Sequence, residues 1–529
     1  MNPNHIDNTD VLIVGAGPTG LMMACQLAIY NIPFRIIEKK MTSSTNSGAL
    51  IIQARTLEIF EKMGIAKEAV KEGIIANKIN IIYNGKIKTS LHIKNIGENL
   101  SAFPFLLMLE QSKTEKLLIK FLKDKGHTVE RNIQFKSFSQ DDSGISSLLI
   151  FPDESEQTIK SKFLIAADGG NSTIRNFLNI PFKGITYPKP IFIIDCTAKS
   201  ELLPGEISFS FSKNYITGFF SLSASRFRID GIVPKEIGTL ETITFDSVKK
   251  FFPDITKMNF KFQGYGWFSV THSHQKYAAT IRDRNCFLAG DAAHVNTPIG
   301  AQGMNTGLQD AYNLAWKLAF VLKSRGNPEL LDTYQSERFA ITKNFARYAD
   351  NVFKIVTSDK AYMRFFRSYM QKIILNLLFR FVEKQKFLSR KFFVSISQVG
   401  INYRKSILSF NKLKGNYFRG SPEPGDRLPF IAFLYKDKKT NTHEIINSAS
   451  FFLIVFADVL TQEIENISQV NHIEVELISF SSETKKLYKD LGIKNTGYLL
   501  IRPDMHIAMR SDTLNVSPLN SYINRFLTI

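Results

Sequence analysis

Cysteine is nearly missing from this chain. Its three, Cys25, Cys196 and Cys286, lie far apart with no CxxC pair, which excludes a disulfide framework and a cysteine-built zinc site and suits a reducing cytosol. Histidine is sparse as well. His272 and His274 are two residues apart but have no acidic or cysteine partner nearby, and no HExxH occurs, so no metal is expected. The N-terminus, MNPNHIDNTD, lacks a basic n-region and an apolar h-region, so no secretion signal is expected. Uninterrupted apolar stretches are lacking too. Val11 to Tyr30 approaches membrane-spanning length, but Gly15, Gly17, Pro18 and Gly20 break it into a short strand, a turn and a helix. There is no internal repeat and no low-complexity tract.

What is present is an ordinary globular composition, 44% hydrophobic and 22% charged over 529 residues, enough for two to four domains. Lysine plus arginine exceeds aspartate plus glutamate by 67 − 48 = 19. Between Lys354 and Lys414 there are fourteen basic residues against two acidic ones, Asp359 and Glu383, so twelve of the nineteen excess charges sit in one segment. A partner drawn by charge, whether nucleic acid or an anionic membrane, would meet the protein there.

The pattern along the chain predicts an α/β fold. Asp10 to Val14 reads as a strand, Leu21 to Tyr30 as a helix and Pro33 to Glu38 as a second strand. Helices are expected at Thr56 to Met63 and Lys113 to Lys125, followed by a strand entering FLIAADGG at Phe163 to Gly170. From Lys183 to Tyr277 helical periodicity largely vanishes, and stretches such as Ile191 to Asp195, Ile207 to Phe211 and Tyr215 to Leu222 predict antiparallel strands in a separate lobe. Helical patterning resumes at Gly307. Tyr362, Phe366, Tyr369, Ile373, Leu377 and Phe381 then recur at three- and four-residue steps, predicting a basic amphipathic helix. The loop Gly415 to Pro429 marks a boundary, beyond which a small α/β unit is expected. Its strands are Phe451 to Phe456, Ile473 to Ile478, Gly497 to Arg502 and His506 to Arg510, with a helix at Glu483 to Leu491.

Gly15-Ala16-Gly17-Pro18-Thr19-Gly20 is a GxGxxG between a predicted strand and helix, with Glu38 at the end of the next strand. Gly15 allows the tight turn, Gly17 lets a pyrophosphate approach the backbone and Gly20 permits close helix packing. Glu38 is placed to accept hydrogen bonds from an adenosine ribose. NAD and FAD share that ADP moiety, so this loop leaves the two open. A second stretch, CFLAGDAAHVNTPIGAQGMNTGLQDAYNLAWKL from Cys286, predicts a strand ending at Gly290-Asp291, a glycine-rich bend and a helix from about Met304.

Three motifs in order, GAGPTG with Glu38, AADGGNSTIR around Asp168 and GDAAHVNTPIGAQGMN, resemble those of the FAD-dependent aromatic hydroxylases, single-component flavoprotein monooxygenases of the p-hydroxybenzoate and phenol hydroxylase type. The middle motif departs slightly, with Ala166 where the family more often has glycine. The resemblance implies a Rossmann-like FAD-binding domain in two parts, 1–182 and 281–345, with an inserted antiparallel β-sheet substrate lobe at 183–280. A basic helical linker at 346–418 and a thioredoxin-like domain at 419–529 would complete it, the latter without CxxC and hence without dithiol exchange. Packing or homodimerisation is left to that domain.

FAD is then the expected cofactor. Asp291, at a strand end, would accept from the ribityl chain. The helix starting at Gly303-Met304-Asn305 would aim unpaired N–H groups at the flavin N1 and C2 carbonyl, where reduced flavin carries negative charge. Pro298 would wall the isoalloxazine ring. By the resemblance, Arg55 lies next to the cofactor phosphates, Gln111 contacts the flavin, and Asp168 touches FAD while its motif, with Arg175, helps form the path for the nicotinamide. His294 reads as a structural residue of the bend.

The resemblance also implies the chemistry. NADPH or NADH reduces the flavin, O2 adds at C4a, and the resulting hydroperoxide hydroxylates an aromatic or polyketide-like small molecule in a pocket kept dry. Only one GxGxxG exists, so the nicotinamide would dock transiently, which argues against the class with two nucleotide domains. With Trp267 and Trp316 as the only tryptophans, there is no WxW cluster of the flavin halogenases. Phenol hydroxylase relatives place an acid shortly before the RTLE arginine, where this chain has Leu50, so no catalytic base is assigned. Tyr215 and Tyr265 belong to the lobe, where a structural role is expected. A second reading puts the basic stretch Tyr362 to Lys391 on a lipid surface, receiving a lipophilic quinone precursor. A third, a nucleic-acid-binding or scaffold protein, lacks any reader motif and leaves three flavin motifs unexplained.

Overall fold

The computed structural model describes residues 8–43, 48–212, 215–238, 240, 242–297, 302–357, 371–410, 420–446 and 449–527, with backbone only at 235, 344–357 and 371–373. The fold is mixed α/β. Its first sheet runs Arg282–Asp283, Cys286–Leu288, Glu156–Ala166, Asn8–Val14, Phe34–Glu38 and Glu130–Arg131, with Gly144–Ile150 and then Gln134–Asp141 added antiparallel to the start of Glu156–Ala166. Asn8–Val14 lies at the centre, parallel to Glu156–Ala166 on one side and to Phe34–Glu38 on the other. Its apolar run has to be covered on both faces, as a parallel strand's must. Val11, Leu12 and Ile13 retain no exposed surface, a burial that stabilises by roughly 1.5–3 kcal/mol per side chain.

Three parallel neighbours therefore end together. The ladder closes with Gly15 N–H donating to Ile37 O (2.9 Å), Ala167 N–H to Val14 O (2.9 Å) and Ala289 N–H to Ala166 O (2.9 Å). Gly15 is itself such a donor, and Asp168 and Gly290 each follow one by a single residue. The carboxyl edge of a doubly wound sheet is where ligands bind, and stretches some 150 and 270 residues apart in sequence share this edge because their strands are hydrogen-bonded side by side.

The second sheet has the order His294–Val295, Lys261–Ala278, Phe182–Lys199, Arg226–Ile232, Ile216–Ser221, Glu206–Phe211, Lys78–Tyr83, Lys86–His92. It is not confined to 183–280. Lys78–Tyr83 adds in parallel to Glu206–Phe211, and Lys86–His92 forms the outer edge. Alternation gives the sheet two apolar faces. On one, Phe192, Phe219, Phe227 and Ile229 pack with Val248 and Phe252 of the helix Phe245–Thr256. On the other, Ile207, Phe209 and Phe220 meet Leu50, Ile51 and Met108, which come from the first part of the flavin-binding domain.

The long helix Glu329–Thr357 runs through the boundary expected at 345–346. Beyond it, the described residues of the basic region form the helices Gln371–Lys384 and Lys386–Ser397 where a single helix was expected. Gln385, in extended conformation (φ −110°, ψ 102°), separates them. The break lets Phe379 and Val382 pack beneath the second sheet while Phe393 enters a separate cluster with Ala54 and Val399. Tyr362, Phe366 and Tyr369 fall outside the described residues.

The C-terminal sheet has the order Glu474–Ile478, Phe452–Phe456, Gly497–Ile501, Ile507–Ser511. Helices Gln462–Val470 and Ser517–Phe526, absent from the sequence-based expectation, flank it with Lys485–Leu491. The turn Arg502-Pro503-Asp504 plugs this unit into the rest of the chain. Arg502 pairs with Glu337, Asp504 accepts from Asn313 Nδ2 (3.3 Å), and Tyr312 donates to Pro503 O (3.2 Å).

Candidate active site

The three glycines of the first motif have three different physical reasons. Gly15 has φ +101°, and a Cβ there would lie 2.3 Å from Ala167 O. A Cβ on Gly20 would lie 1.9 Å from Gly15 O, so any side chain would push the helix off the loop. A Cβ on Gly17 would meet nothing within 4 Å. Gly17 thus leaves open space at the start of the helix Pro18–Ile29, whose first turn has no side-chain cap and a proline at the front. Unsatisfied N–H groups facing open space at the positive end of a helix form an anion site.

Glu38 is fixed across that loop. Its Oε2 accepts the Ala16 N–H (2.9 Å) and its Oε1 the Lys40 N–H (3.0 Å), leaving each oxygen with lone-pair capacity for a ligand hydroxyl. Asp168 lies against Gly15, its Cα being 3.0 Å from the position of a Gly15 Cβ. One carboxylate oxygen accepts from Thr173 N–H (2.8 Å) and Ile174 N–H (3.3 Å), while Oδ1 is buried without a partner among the described residues. Burial pushes the carboxyl pKa up. Arg175 fastens this loop to the next one by donating to Gly170 O (2.8 Å) and Ala292 O (3.0 Å), with its guanidinium 3.8 Å above the Phe182 ring.

The Gly290-Asp291 turn closes against the first motif. Gly290 has φ +59°, and a Cβ on Gly290 or on Gly307 would lie 2.3 Å from Thr19 Oγ1. The helix Gly303–Leu322, the turn and the glycine loop therefore converge on Thr19, which sequence reasoning did not single out. Asp291 has exposed surface and no hydrogen-bond partner among the described residues. Its carboxyl pKa is nevertheless raised, first by desolvation and also by Asp310, against the pull of His294.

The turn is held from behind by buried charge. Asp310 Oδ2 accepts the Gly290 N–H (3.1 Å) and pairs with His294 Nε2 (2.6 Å), while Oδ1 accepts from Arg338 Nε (2.7 Å). Arg338 also donates to Thr306 O and the Tyr403 hydroxyl (3.1 Å each), joining the turn to the helix. Asp310 and Arg338 were missed in the sequence. The available signal was a charged residue inside the largely apolar helix pattern.

Other expected site residues are differently employed. The side chain of Asn305 is spent on Gln53 N–H (3.0 Å), the Thr56 hydroxyl (2.8 Å) and Ile51 O (2.8 Å), so only its backbone is available at the helix start. That helix start has no side-chain cap, which leaves the N–H groups of Gly303 and Met304 in the orphan positions of its first turn. Gln111 accepts from Ala49 N–H (3.1 Å) and donates to Glu115 (2.9 Å), so it braces the 48–50 segment. Arg55 is the clear departure. Expected beside the cofactor phosphates, its buried guanidinium binds Glu58 (3.2 Å) and Asp504 O (2.7 Å), because the docked C-terminal turn and a buried carboxylate compete for it. Pro298 lies outside the described residues. Tyr265 stacks on Phe245 (4.2 Å) on the sheet's helix side, and Tyr215 donates to Glu236 (3.0 Å). His272 contacts Tyr187 O (3.0 Å) and His274 the Thr186 hydroxyl (2.9 Å), and among the described residues no three metal-ligating groups cluster.

An open cradle at Gly17, an orphaned Asp168 oxygen, an unpartnered Asp291 and two uncapped helix starts fit a ligand that is anionic at one end and hydroxylated along its length, as FAD is. The comparisons agree. Residues 8–349 match the family model described as FAD binding domain, and 421–527 match the aromatic-ring hydroxylase C-terminal model. An uncharacterized aromatic compound monooxygenase of Bacillus subtilis is 29% identical over 95% of this chain and 94% of its own length. The 6-methylpretetramide 4-monooxygenase of Streptomyces rimosus is 25% identical, covering 98% and 94%. The structure of aklavinone-11 hydroxylase with FAD and aklavinone shares the fold with a TM-score of 0.78 at 21% identity, covering 99% of each chain. The chain belongs to the family of flavoprotein monooxygenases with this FAD-binding domain. It is a FAD-dependent monooxygenase of the aromatic-ring hydroxylase type.

Proposed function

We propose that the protein is an NAD(P)H-dependent hydroxylase of an aromatic or polyketide-like small molecule. The observation that carries this reading is the convergence of the Gly15, Asp168 and Gly290-Asp291 loops, together with a second sheet whose Phe209 and Phe220 pack against Leu50 and Ile51 of the same domain. Bound FAD, reduced by NADPH or NADH and charged with O2 at C4a, would supply the electrophilic oxygen. The chain's own residues do the rest. Gly15, Gly17, Gly20 and Glu38 hold the ADP portion, Asp168 and Asp291 accept from its hydroxyls, and the backbone at Gly303, Met304 and Asn305 favours negative charge on the ring. With one dinucleotide loop, the nicotinamide docks transiently. Purified protein is expected to be yellow and to oxidise NAD(P)H faster with a suitable phenol, placing one atom of labelled O2 in the product. Colourless protein that cannot be reconstituted with FAD defeats the proposal.

A second reading, compatible with the first, places the enzyme on anionic lipid. Among the described residues no helix is long and apolar enough to cross a membrane. However, Leu377, Leu378, Phe381 and Phe387 are 45–64% exposed beside exposed Arg380, Lys384, Lys386, Arg390 and Lys391. An apolar stripe rimmed by cations matches an anionic lipid surface, and like charges disfavour packing the same face against a second copy. Salt-sensitive cosedimentation with phosphatidylserine vesicles, lost on neutralising Lys384, Lys386, Arg390 and Lys391, is expected. Absence of binding at low salt rejects this reading, as does a homodimer that forms through the stripe.

A further inference from the structure

Asp230 stands inside the strand Arg226–Ile232, where aspartate is disfavoured unless it has something to do. Its cross-strand neighbours are Gly218 and Ile193, and the registers extend this into one row across the sheet, Ile81, Phe209, Gly218, Asp230, Ile193, Ser269. A Cβ on Gly218 would lie 2.6 Å from Asp230 Oδ1. The carboxylate therefore leans over a glycine that leaves room for it.

One oxygen of that carboxylate has no donor. Oδ1 is buried without a hydrogen bond among the described residues. The nearest cation is occupied: Arg228, two residues earlier on the same face, donates to both oxygens of Asp195 (2.7 and 2.6 Å). A buried acceptor left unsatisfied is destabilising, so its persistence asks for a donor supplied from outside the chain.

The face on which it stands decides where that donor comes from. The adjoining row is Ile207, Phe220, Arg228, Asp195, Trp267. Ile207, Phe209 and Phe220 pack with Leu50 and Ile51, and Arg228 Nη1 reaches Ala49 O (3.4 Å). Ala49 is held by Gln111, and Ile51 by Asn305 at the start of the helix Gly303–Leu322. Asp230 thus looks toward the flavin-binding domain, among Phe209, Phe220, Trp267 and Ser269, each with some surface still accessible. The opposite face is filled by the Phe219 and Phe227 core.

We propose that Asp230 is the acceptor for a ring hydroxyl of the aromatic substrate, which lies between this sheet face and the flavin. The inference rests on the hydroxylase reading and names its substrate class: an aromatic ring carrying a free hydroxyl near the carbon to be oxidised. As the electrophilic oxygen attacks the ortho or para carbon, the phenol O–H bond breaks toward Asp230, a carboxyl O–H forms, and the electron pair left on the phenol oxygen flows into the ring. Desolvation pushes the Asp230 carboxyl up to about 6, with Arg228 pulling the other way, so at neutral pH the group is ionised, accepts the phenol hydrogen bond, and takes the proton as attack on the ring acidifies the hydroxyl. Arg228 and Asp195 are the charged residues in the two rows.

The test uses the FAD-loaded enzyme with 2-naphthol and its methyl ether, 2-methoxynaphthalene, as probes. Binding is followed by the flavin absorbance change. The wild type is expected to prefer naphthol over the ether at least about tenfold. Asp230→Asn is expected to bring the two within about threefold and leave ether binding unchanged. Asp230→Asn and Asp230→Leu are also expected to melt at or above the wild-type temperature, because they remove an unpaired buried acceptor or its charge. A merely structural carboxylate would instead be missed, and a fall of several degrees in both variants overturns the proposal. So does unchanged preference in Asp230→Asn, or a wild type that binds neither probe. Colourless protein would sink the hydroxylase reading, whereas yellow protein that oxidises NAD(P)H with phenols regardless of residue 230 sinks this inference alone.

Discussion

Arg502 and Glu337 form a doubly hydrogen-bonded ion pair, 2.6 and 2.9 Å, in which neither side chain retains solvent-exposed surface. Arg502 also holds Asp504, and Glu337 also takes Lys317 (2.8 Å) and the Ser406 hydroxyl (2.6 Å). Four charges from the C-terminal turn and two helices of the flavin-binding domain thus satisfy one another. Removing one partner strands the others in a low-dielectric interior.

Glu337→Gln is therefore expected to lose about 3–5 kcal/mol of stability in urea unfolding at pH 7. Arg502 and Lys317 hold the Glu337 carboxyl well below the usual range. A depressed carboxyl stabilises above its unfolded value, near 4.5, and that contribution is lost as pH falls below it. The gap between wild type and variant should accordingly narrow below about pH 4. A variant within ~1 kcal/mol of wild type at pH 7 would show that the turn is not held by this network.

Gly17→Ala and Gly20→Ala should separate binding from folding. Space is open at Gly17, so the alanine variant is expected to melt like the wild type as apoprotein while weakening FAD at least about tenfold, or 1.4 kcal/mol. Gly20→Ala drives a methyl into Gly15 O and should impair folding itself. Equal apoprotein melting for both would remove the distinction.

Asp291→Ala and Asp310→Asn sit on either side of one turn and should behave oppositely. Asp291 makes no hydrogen bond among the described residues, so its loss is expected to change apoprotein stability by no more than ~0.5 kcal/mol but to weaken FAD. Asp310→Asn leaves Arg338 buried and unpaired, and should lower stability by about 3–5 kcal/mol with or without flavin. Differential scanning calorimetry of apo and FAD-loaded forms distinguishes the two.

His443 supplies an acid-sensitive element at the domain contact. It lies against Leu428 O (2.9 Å) and Arg427 (3.2 Å), and burial pushes its pKa down to about 4. In the unfolded chain it titrates at the ordinary 6.5, so between the two values the unfolded state binds a proton that the folded state refuses. Stability should fall as pH drops through that window, by roughly 3 kcal/mol at most. His443→Gln is expected to remove this part of the slope, seen as a wild-type-minus-variant stability difference that changes between pH 6.5 and 4. A pH-independent difference would contradict the burial-driven shift.

The sequence by itself determined the features that rest on short-range physics. A strand, a turn that only glycine can make and a helix that must approach it closely are written within Asp10 to Tyr30, and Glu38, the Asp168 turn and the Gly290-Asp291 turn are equally local. Sequence also located the sheet lobe, where alternation betrays a pleated strand, and the C-terminal strands, among them the continuous apolar run Phe452–Phe456. Tertiary structure decided what alternation and spacing leave open. Arg55 is claimed by a carbonyl 449 residues away, and Asn305 by a segment 252 residues away, so neither side chain's task is visible in its neighbours. Period two shows that Asp230 and Arg228 share a face, but only the strand order, with Lys78–Tyr83 recruited into the sheet and Leu50 packed opposite, turns that face toward the flavin-binding domain. Backbone conformation is set by a residue and its few neighbours, whereas the partner of a buried charge is set by whichever distant donor the packed core brings within 3 Å.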